Sequence, residues 1–271
     1  MNTTKDQSRK SLSAWVDSRQ MRGFYTFTRD EALAALQLSR MAFDRASSRL
    51  AVKNRLARIY SGFYAIIPLE HLADGILQPD WFINDLMKYM KRPYYVGVLS
   101  AAAYHGASHH KIQAYHVVTN RSMRDIRCRG VVIRFFRKTN IHATLLEQMK
   151  GYAGYLPVSS PEATALDVVR FYRHAGGLGR VMTVLQELGE KIDPHRLVQA
   201  AKADYCLSCA QRLGWLLEQT EFAGKAVRLY VWMAKQAPLP VRLNPSLPIK
   251  GCKRDKRWNV WLNTNVEGDL T

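Results

Sequence analysis

The chain has 271 residues, of which 47% are hydrophobic and 23% are charged, a composition typical of a soluble globular protein with room for two cores. Its 40 Lys and Arg against 22 Asp and Glu give a net charge of +18, which favours a polyanionic partner such as nucleic acid. The apolar runs are too short to span a bilayer and no signal pattern opens the chain, so we expect a cytoplasmic protein without a membrane partner.

In chain order, the first predicted elements are a helix, the short strand FYTFT, and a second helix opened by a capping box of Thr28 and Glu31. After a turn, Ser39 is the predicted N-cap of a third helix from Arg40 to Lys53. The stretch LARIYSGFYAIIP then predicts two short strands around Ser61. Helix, turn, helix and hairpin in this order are typical of a winged helix-turn-helix.

The third helix has one apolar face and one polar face. Phe43, Ser47 and Leu50 fall on the predicted inward face, and Asn54 suits the left-handed residue that closes the helix. Arginines on such a helix bind guanine edges, whereas caps and wings hold phosphates. The predicted DNA-binding residues are Arg45 and Ser48 for base edges, Arg40 and Arg49 for bases or backbone, and Ser39, Lys53, Arg58 and Ser61 for phosphates. The alternative is a solvated helix in a small bundle.

Pro68 marks the predicted end of this DNA-binding domain, residues 1–68, which has 12 basic and 5 acidic residues. The rest of the charge surplus, +11, falls in residues 69–271. For this larger part we predict a helix over 81–90 and the strand YYVGVL. A short helix capped by Ser100 and strands over 112–119 and 131–138 complete this half.

The segment 121–138 has seven basic residues and one acidic residue and predicts a second basic surface. Its members are Arg121, Arg124, Arg127, Arg129, Arg134, Arg137 and Lys138. Because aromatic residues lie beside the arginines in the sequence, this segment has two interpretations. It contacts nucleic acid, or it is a charged face exposed to solvent without a ligand. The same two alternatives hold for residues 250–257, with five basic residues and one acidic residue.

Beyond Tyr155, the pattern predicts the strand YLPVS and a helix from Ser160 to Arg173 with a proline at its first position. Further helices are predicted over 178–188, 194–203 and 206–219, followed by a last strand, WNVWLN. The predicted fold class is therefore α/β (α+β), a winged helix-turn-helix followed by a larger mixed domain over 69–271.

Four cysteines are too few and too scattered for a disulfide framework, which predicts reduced thiols at Cys128, Cys206, Cys209 and Cys252. Cys206 and Cys209 have the spacing of a zinc pair, but no second pair accompanies them inside the predicted helix. We therefore predict no metal and no cofactor.

Three histidines form a second tempting cluster, His105, His109 and His110, without a carboxylate or cysteine at ligand spacing. They are interpreted as a helix end and a polar loop. A nuclease-type Asp followed by Glu-x-Lys is absent from the sequence, and we predict that the protein is not an enzyme.

Four motifs in fixed order resemble the AbiEi-like antitoxins of type IV abortive-infection toxin–antitoxin systems. They are LSAAAYHGASHH (99–110), SPEATALD (160–167), RHAGGL (173–178) and QRLGWLLE (211–218). The resemblance implies a winged helix-turn-helix that binds inverted repeats in operator DNA and represses its own operon. It also implies an α/β domain that counteracts a nucleotidyltransferase-like toxin, with direct contact left open.

Carried onto this sequence, the antitoxin motifs give Glu162, Asp167, Arg212 and Glu218 as functional residues, on the expectation that their helices form the antitoxin surface. Two alternatives stay open. One is a winged-helix regulator whose larger domain senses a ligand or dimerises, and the other is a protein with RNA as its partner.

Overall fold

A computed structural model describes residues 11–71, 78–107 and 113–266. Within these ranges the α-helices are α1 (Leu12–Met21), α2 (Arg29–Leu36), α3 (Arg40–Val52), α4 (Ile83–Tyr89), α5 (Val98–Tyr104), α6 (Pro161–Arg170), α7 (Gly177–Leu188), α8 (Pro194–Asp204), α9 (Leu207–Glu218) and α10 (Val227–Ala234).

The strands of the same ranges are β1 (Thr26–Thr28), β2 (Leu56–Tyr60), β3 (Phe63–Ile66), β4 (Tyr94–Val96), β5 (Tyr115–Thr119), β6 (Ile126–Cys128), β7 (Val131–Arg137), β8 (Leu146–Gly151), β9 (Gly154–Ser159), β10 (Val241–Arg242), β11 (Arg254–Asp255) and β12 (Val260–Trp261). They form three sheets, and the mixed α/β class predicted from the sequence is confirmed.

The chain divides into two compact units. The N-terminal unit comprises Met1–Arg92, Arg124–Arg134 and Lys150–Tyr155, and the C-terminal unit comprises Pro93–Met123, Phe135–Met149 and Leu156–Thr271. Among the helices of the described ranges, none has the length and hydropathy of a membrane-spanning segment.

The N-terminal unit contains α1 to α4 and a three-stranded sheet with the order β1-β3-β2. Both strand pairs are antiparallel, with Thr26 opposite Ala65 and Leu56 opposite Ile66. Phe27 stacks on Tyr64 with ring centroids 5.5 Å apart, and Phe43 of α3 meets the same tyrosine edge-on. This aromatic cluster fixes α3 against the sheet.

Local signals set the helix starts of this unit. The side chain of Thr28 accepts a bond from the Glu31 N–H while Glu31 accepts one from the Thr28 N–H, so the predicted capping box is confirmed. Ser39 caps α3 by accepting from the Ala42 N–H at 3.2 Å. Asn54 has φ of 54° just beyond the helix, the predicted left-handed position.

The main sheet has six strands in the order β6-β7-β5-β4-β9-β8. Strand β4 pairs antiparallel with β5 and parallel with β9. In the C-terminal unit, α5, α7, α8 and α9 pack against the buried helix α6, whose first nine residues are all buried. A third sheet, β10-β12-β11, completes that unit.

Several predicted bounds differ from the structure. The helix predicted over 81–90 is divided, because Phe82 leaves helical geometry between a short 3-10 turn and α4. Ser100 does not cap α5 but lies inside it, where its hydroxyl accepts from the His116 N–H at 2.9 Å. The helix predicted to reach Arg173 ends at Arg170. Strands β6, β8, β10 and β11 and helix α10 were not predicted.

Candidate functional site

The polar face of α3 is exposed. Phe43, Ser47 and Leu50 point into the core and are at most 7% exposed. All six residues that were predicted to contact DNA on or beside this helix are exposed: Ser39, Arg40, Arg45, Ser48, Arg49 and Lys53. Asp44 is the acid on this face, so the exposed surface carries a positive surplus.

The predicted wing is the hairpin of β2 and β3, turned by Gly62 at φ of 73°. Arg58 and Ser61 lie on it and are exposed. The hydroxyl of Tyr89 donates to the Ser61 carbonyl at 3.1 Å and fastens the turn. The hairpin is therefore held in place while its arginine remains accessible.

Arg55 has a different role from the arginines on α3. It is 8% exposed and donates to the Ile67 carbonyl at 2.6 Å, to Gln20 and to Asp17. These bonds lie within the N-terminal unit and connect α1 to the residue that follows β3. Arg58 was predicted to contact phosphate, whereas Arg55 had no predicted role.

Part of the second basic segment packs beside α3. Arg129 donates to the Ala51 carbonyl at 2.6 Å and to the side chain of Asn54, at the C-terminal end of that helix. One last-turn carbonyl of α3 and the side chain just beyond the helix are thereby bonded by a residue over seventy positions away. Arg134 is ion-paired with Asp125 at 3.3 Å.

The members of this segment that are exposed are Arg121, Arg124, Arg127 and Arg137. Lys138 is not part of any surface, and its assignment to the basic surface is wrong. It is 4% exposed and its ammonium group lies 2.7 Å from Asp204 and 3.3 Å from Asp167. The last position of the basic run turns inward because two buried carboxylates require a cation.

These residues form a buried ionic network. Arg170 pairs with Asp204 at 2.6 Å, and the Tyr95 hydroxyl donates to Asp167 at 2.8 Å. Two cations therefore balance two carboxylates. Burial raises the pKa of Asp167, while Lys138 opposes that shift. Burial, with Asp167 adjacent, likewise raises the pKa of Tyr95 well above its ordinary value.

The SPEATALD motif is a core element and not an exposed surface. Ser160 caps α6 by accepting from the Ala163 N–H at 3.3 Å, and Pro161 occupies the first helical position. Glu162 is fully buried and accepts from the Asp193 N–H at 3.0 Å, which joins α6 to the start of α8. Because Glu162 and Asp167 are both 0% exposed, the expectation that they form an antitoxin surface is wrong.

The polar side chains of the QRLGWLLE motif bond to the C-terminal segment, residues 239–258. Arg212, half-buried with a pKa lowered by that burial, donates to the Arg242 carbonyl at 2.7 Å. The amide of Gln211 donates to the Leu239 and Trp258 carbonyls at 2.9 and 3.0 Å. Glu218 pairs with Arg257 at 2.8 Å. Each polar residue of the motif therefore has a structural partner.

The glycine of that motif makes room for a tryptophan. A Cβ on Gly214 would lie 2.1 Å from the ring of the fully buried Trp258. We expect Gly214→Ala to lower the free energy of unfolding by about 1–3 kcal/mol, as overpacked cores do.

Urea denaturation of the full chain measures that change. Gly224→Ala is the matched control, because nothing lies within 4 Å of its added Cβ. An equal shift in both variants would contradict the steric explanation.

The cysteines correct one further prediction. Cys206 and Cys209 form a disulfide, with Cα atoms 5.2 Å apart, whereas Cys128 and Cys252 are not disulfide-bonded. The helix begins one residue later than predicted, so Cys206 is the N-cap of α9 and not part of its interior. This local geometry brings the two sulfurs together.

Among the described residues, Asp204 joins these two cysteines in a group whose potential ligand atoms lie within 4.8 Å of one another. Its carboxylate is already paired with Lys138 and Arg170. Of the three histidines, His105 ends α5 as predicted, with its ring 2.7 Å from the Ser159 carbonyl. His109 and His110 lie outside the described residues.

Comparison with known proteins places these motifs. Residues 95–219 match the family model of the AbiEi antitoxin C-terminal domain, and no curated protein matches the chain. The fold is similar to the crystal structure of the RV2827C protein from Mycobacterium tuberculosis, with a TM-score of 0.65 and 17% identity over 92% of this chain and 90% of that one. At this identity the likeness establishes the fold alone. The matched range includes the buried ionic network and all four motifs quoted from the sequence, and over these residues the chain is similar to the AbiEi antitoxin C-terminal domain.

Proposed function

We propose that the protein is an antitoxin and autorepressor. Residues 1–68 act as a winged helix-turn-helix that binds inverted repeats in operator DNA of its own operon. Residues 69–271 act as the antitoxin domain and counteract a nucleotidyltransferase-like toxin, without enzymatic activity of their own. The match of residues 95–219 to an antitoxin family model implies a cognate toxin and is the support for the second role.

The observation that carries the DNA-binding role is the exposed polar face of α3 beside an exposed wing arginine. Arg45 and Ser48 share that face near its centre, the position from which a helix in the major groove reaches base edges. Ser39, Lys53 and Arg58 lie around it and are exposed, as phosphate-binding residues must be. The net charge of +18 supplies the long-range attraction.

Arg124 and Arg127 extend this proposal. They belong to the same compact unit as α3, and both are exposed. Their neighbour Arg129 bonds the end of α3. We assign Arg124 and Arg127 to phosphate contacts, which would add salt dependence without sequence preference.

A separation-of-function experiment tests both halves on the full chain. Toxin and antitoxin are co-expressed from inducible promoters, while a reporter carries the upstream DNA of the operon. We expect Arg45→Ala together with Arg49→Ala to lose repression and still rescue growth, because both residues lie outside the proposed antitoxin domain.

A truncation lacking residues 69–271 gives the complementary arm. Rescue by this truncation equal to that of the full chain would contradict the antitoxin role of the larger domain. Binding of the pure full chain to promoter DNA and to RNA at matched salt tests the first half, and a preference for RNA would overturn it.

A further inference from the structure

The start of α9 carries a disulfide that the proposed function does not use. Cys206 is the N-cap of this 12-residue helix, and Cys209 lies in its first turn. Cys206 is half-buried, whereas Cys209 is only 3% exposed. The two cysteines of one short motif therefore differ in the exposed fraction of the residue.

We propose that Cys206 and Cys209 form a reversible dithiol–disulfide site that exchanges with low-molecular-weight disulfides of the glutathione type. Three observations carry this assignment: the bonded pair, the position at a helix start and the difference in accessibility. A helix N-terminus stabilises a thiolate, and thiolates are the attacking species in exchange.

The exchange runs in two steps with balanced electrons. The Cys206 thiol releases its proton to solvent, and the thiolate attacks one sulfur of the external disulfide, breaking its S–S bond and releasing one thiolate. Cys209 then loses its proton and attacks the Cys206 sulfur, forming the intramolecular bond and releasing the second thiolate. The protein loses two electrons and two protons, and the external disulfide becomes two thiols.

A metal site at the same residues is disfavoured by their other bonds. Asp204 is the third group of the cluster, but Lys138 at 2.7 Å and Arg170 at 2.6 Å already hold its two oxygens. A cation there would have to displace both. The sulfurs of Cys206 and Cys209 could bind a metal only after the disulfide between them was reduced.

The site has a structural consequence. It lies directly before Gln211 and Arg212, whose side chains bond the C-terminal segment. Tyr205, in the left-handed conformation and 84% exposed, is the connection between α8 and α9. Reduction removes a covalent closure from the first turn of α9, so we expect this connection to become more accessible to proteolysis in the reduced protein.

The test uses the full chain in glutathione buffers of stepped redox ratio, followed by thiol alkylation and peptide mapping. We expect Cys206 and Cys209 to lose alkylation together as the buffer becomes more oxidising and to regain it together as the buffer becomes more reducing. Cys128 and Cys252, which are not disulfide-bonded, are the internal comparison in the same molecule. Failure of the pair to oxidise in fully oxidised glutathione would overturn the proposal. So would one equivalent of zinc retained by the reduced protein together with protection of both thiols.

Two variants test the order of attack. Cys209→Ser leaves only the sulfur of the more exposed cysteine, and we expect it to accumulate a mixed disulfide with glutathione at Cys206. Cys206→Ser leaves only the buried sulfur, and we expect little adduct. Equal adduct in the two variants would contradict the assigned roles, and the wild-type titration stands even if either variant folds poorly.

Discussion

Lys138→Met is expected to lower the free energy of unfolding by about 3–5 kcal/mol, the usual effect of removing one partner of a buried ion pair. The ammonium group is the cation that contacts both Asp167 and Asp204, and all three side chains are at most 3% exposed. Without it, Arg170 alone faces two buried carboxylates. Urea denaturation followed by circular dichroism measures the change.

Arg137→Met is the matched control, because the neighbouring side chain is exposed and its loss should change stability by no more than about 0.5 kcal/mol. Comparable destabilisation by both variants would show that the strand, and not the ionic network, is sensitive to substitution.

The network also predicts the pH dependence of the Lys138→Met variant. Asp167 already has a pKa raised above 3.8 by burial, and Lys138 is the largest influence that lowers it. Removing Lys138 raises the pKa of Asp167 further. The folded variant then binds a proton that the unfolded chain has released, so its stability is highest below the unfolded pKa and is lost as pH rises through the folded value. The difference in free energy of unfolding between wild type and the variant should therefore be smaller at about pH 5 than at about pH 8. A difference independent of pH would exclude this explanation.

Local signals explain why the N-terminal elements could be predicted. The capping box of Thr28 and Glu31, the Ser39 cap and the left-handed Asn54 act over three or four residues, and each is found where the sequence indicated. The helical spacing of the apolar residues also predicted the two faces of α3. Each of these features is determined by residues that lie within one helical turn of one another in the sequence.

The roles of the charged residues depended on distant parts of the chain and could not be predicted. Lys138 was assigned to a surface because its sequence neighbours are basic, yet its partner Asp204 lies 66 positions away in α8. Glu162 was assigned to an exposed motif, although its bond to the Asp193 N–H spans 31 positions. Strand β8 was missed since its burial alternates between exposed and half-buried, which leaves little apolar signal.

The antitoxin motifs consequently identify the fold of the domain more than its point of action. Asp167 balances charge in the core, Gly214 receives Trp258, and Arg212 fastens the C-terminal segment. Conservative substitutions at these positions should act through stability. Under the proposed function, residues that oppose the toxin would be exposed side chains of the C-terminal unit, and the basic run 250–257 is one candidate.

Arg45→Ala is expected to weaken binding to the operator by about 10- to 100-fold, which corresponds to a contribution of about 1–3 kcal/mol from one bidentate base contact. Binding to random DNA should change little. The guanidinium is exposed on the outward face of α3, opposite the buried Phe43, so its removal leaves the core untouched. Competition binding with operator and random duplexes of equal length measures the ratio.

Lys53→Ala separates base contact from phosphate contact. Lys53 is exposed just beyond the last turn of α3, and its loss should weaken operator and random DNA alike while reducing the slope of log K against log salt by about 0.9. Arg228→Ala is the charge-matched control, because it removes the same charge from exposed α10 in the C-terminal unit. If Arg45→Ala reduced both affinities equally, Arg45 would be a phosphate contact, and sequence recognition would have to be assigned to Ser48, Arg40 or Arg49.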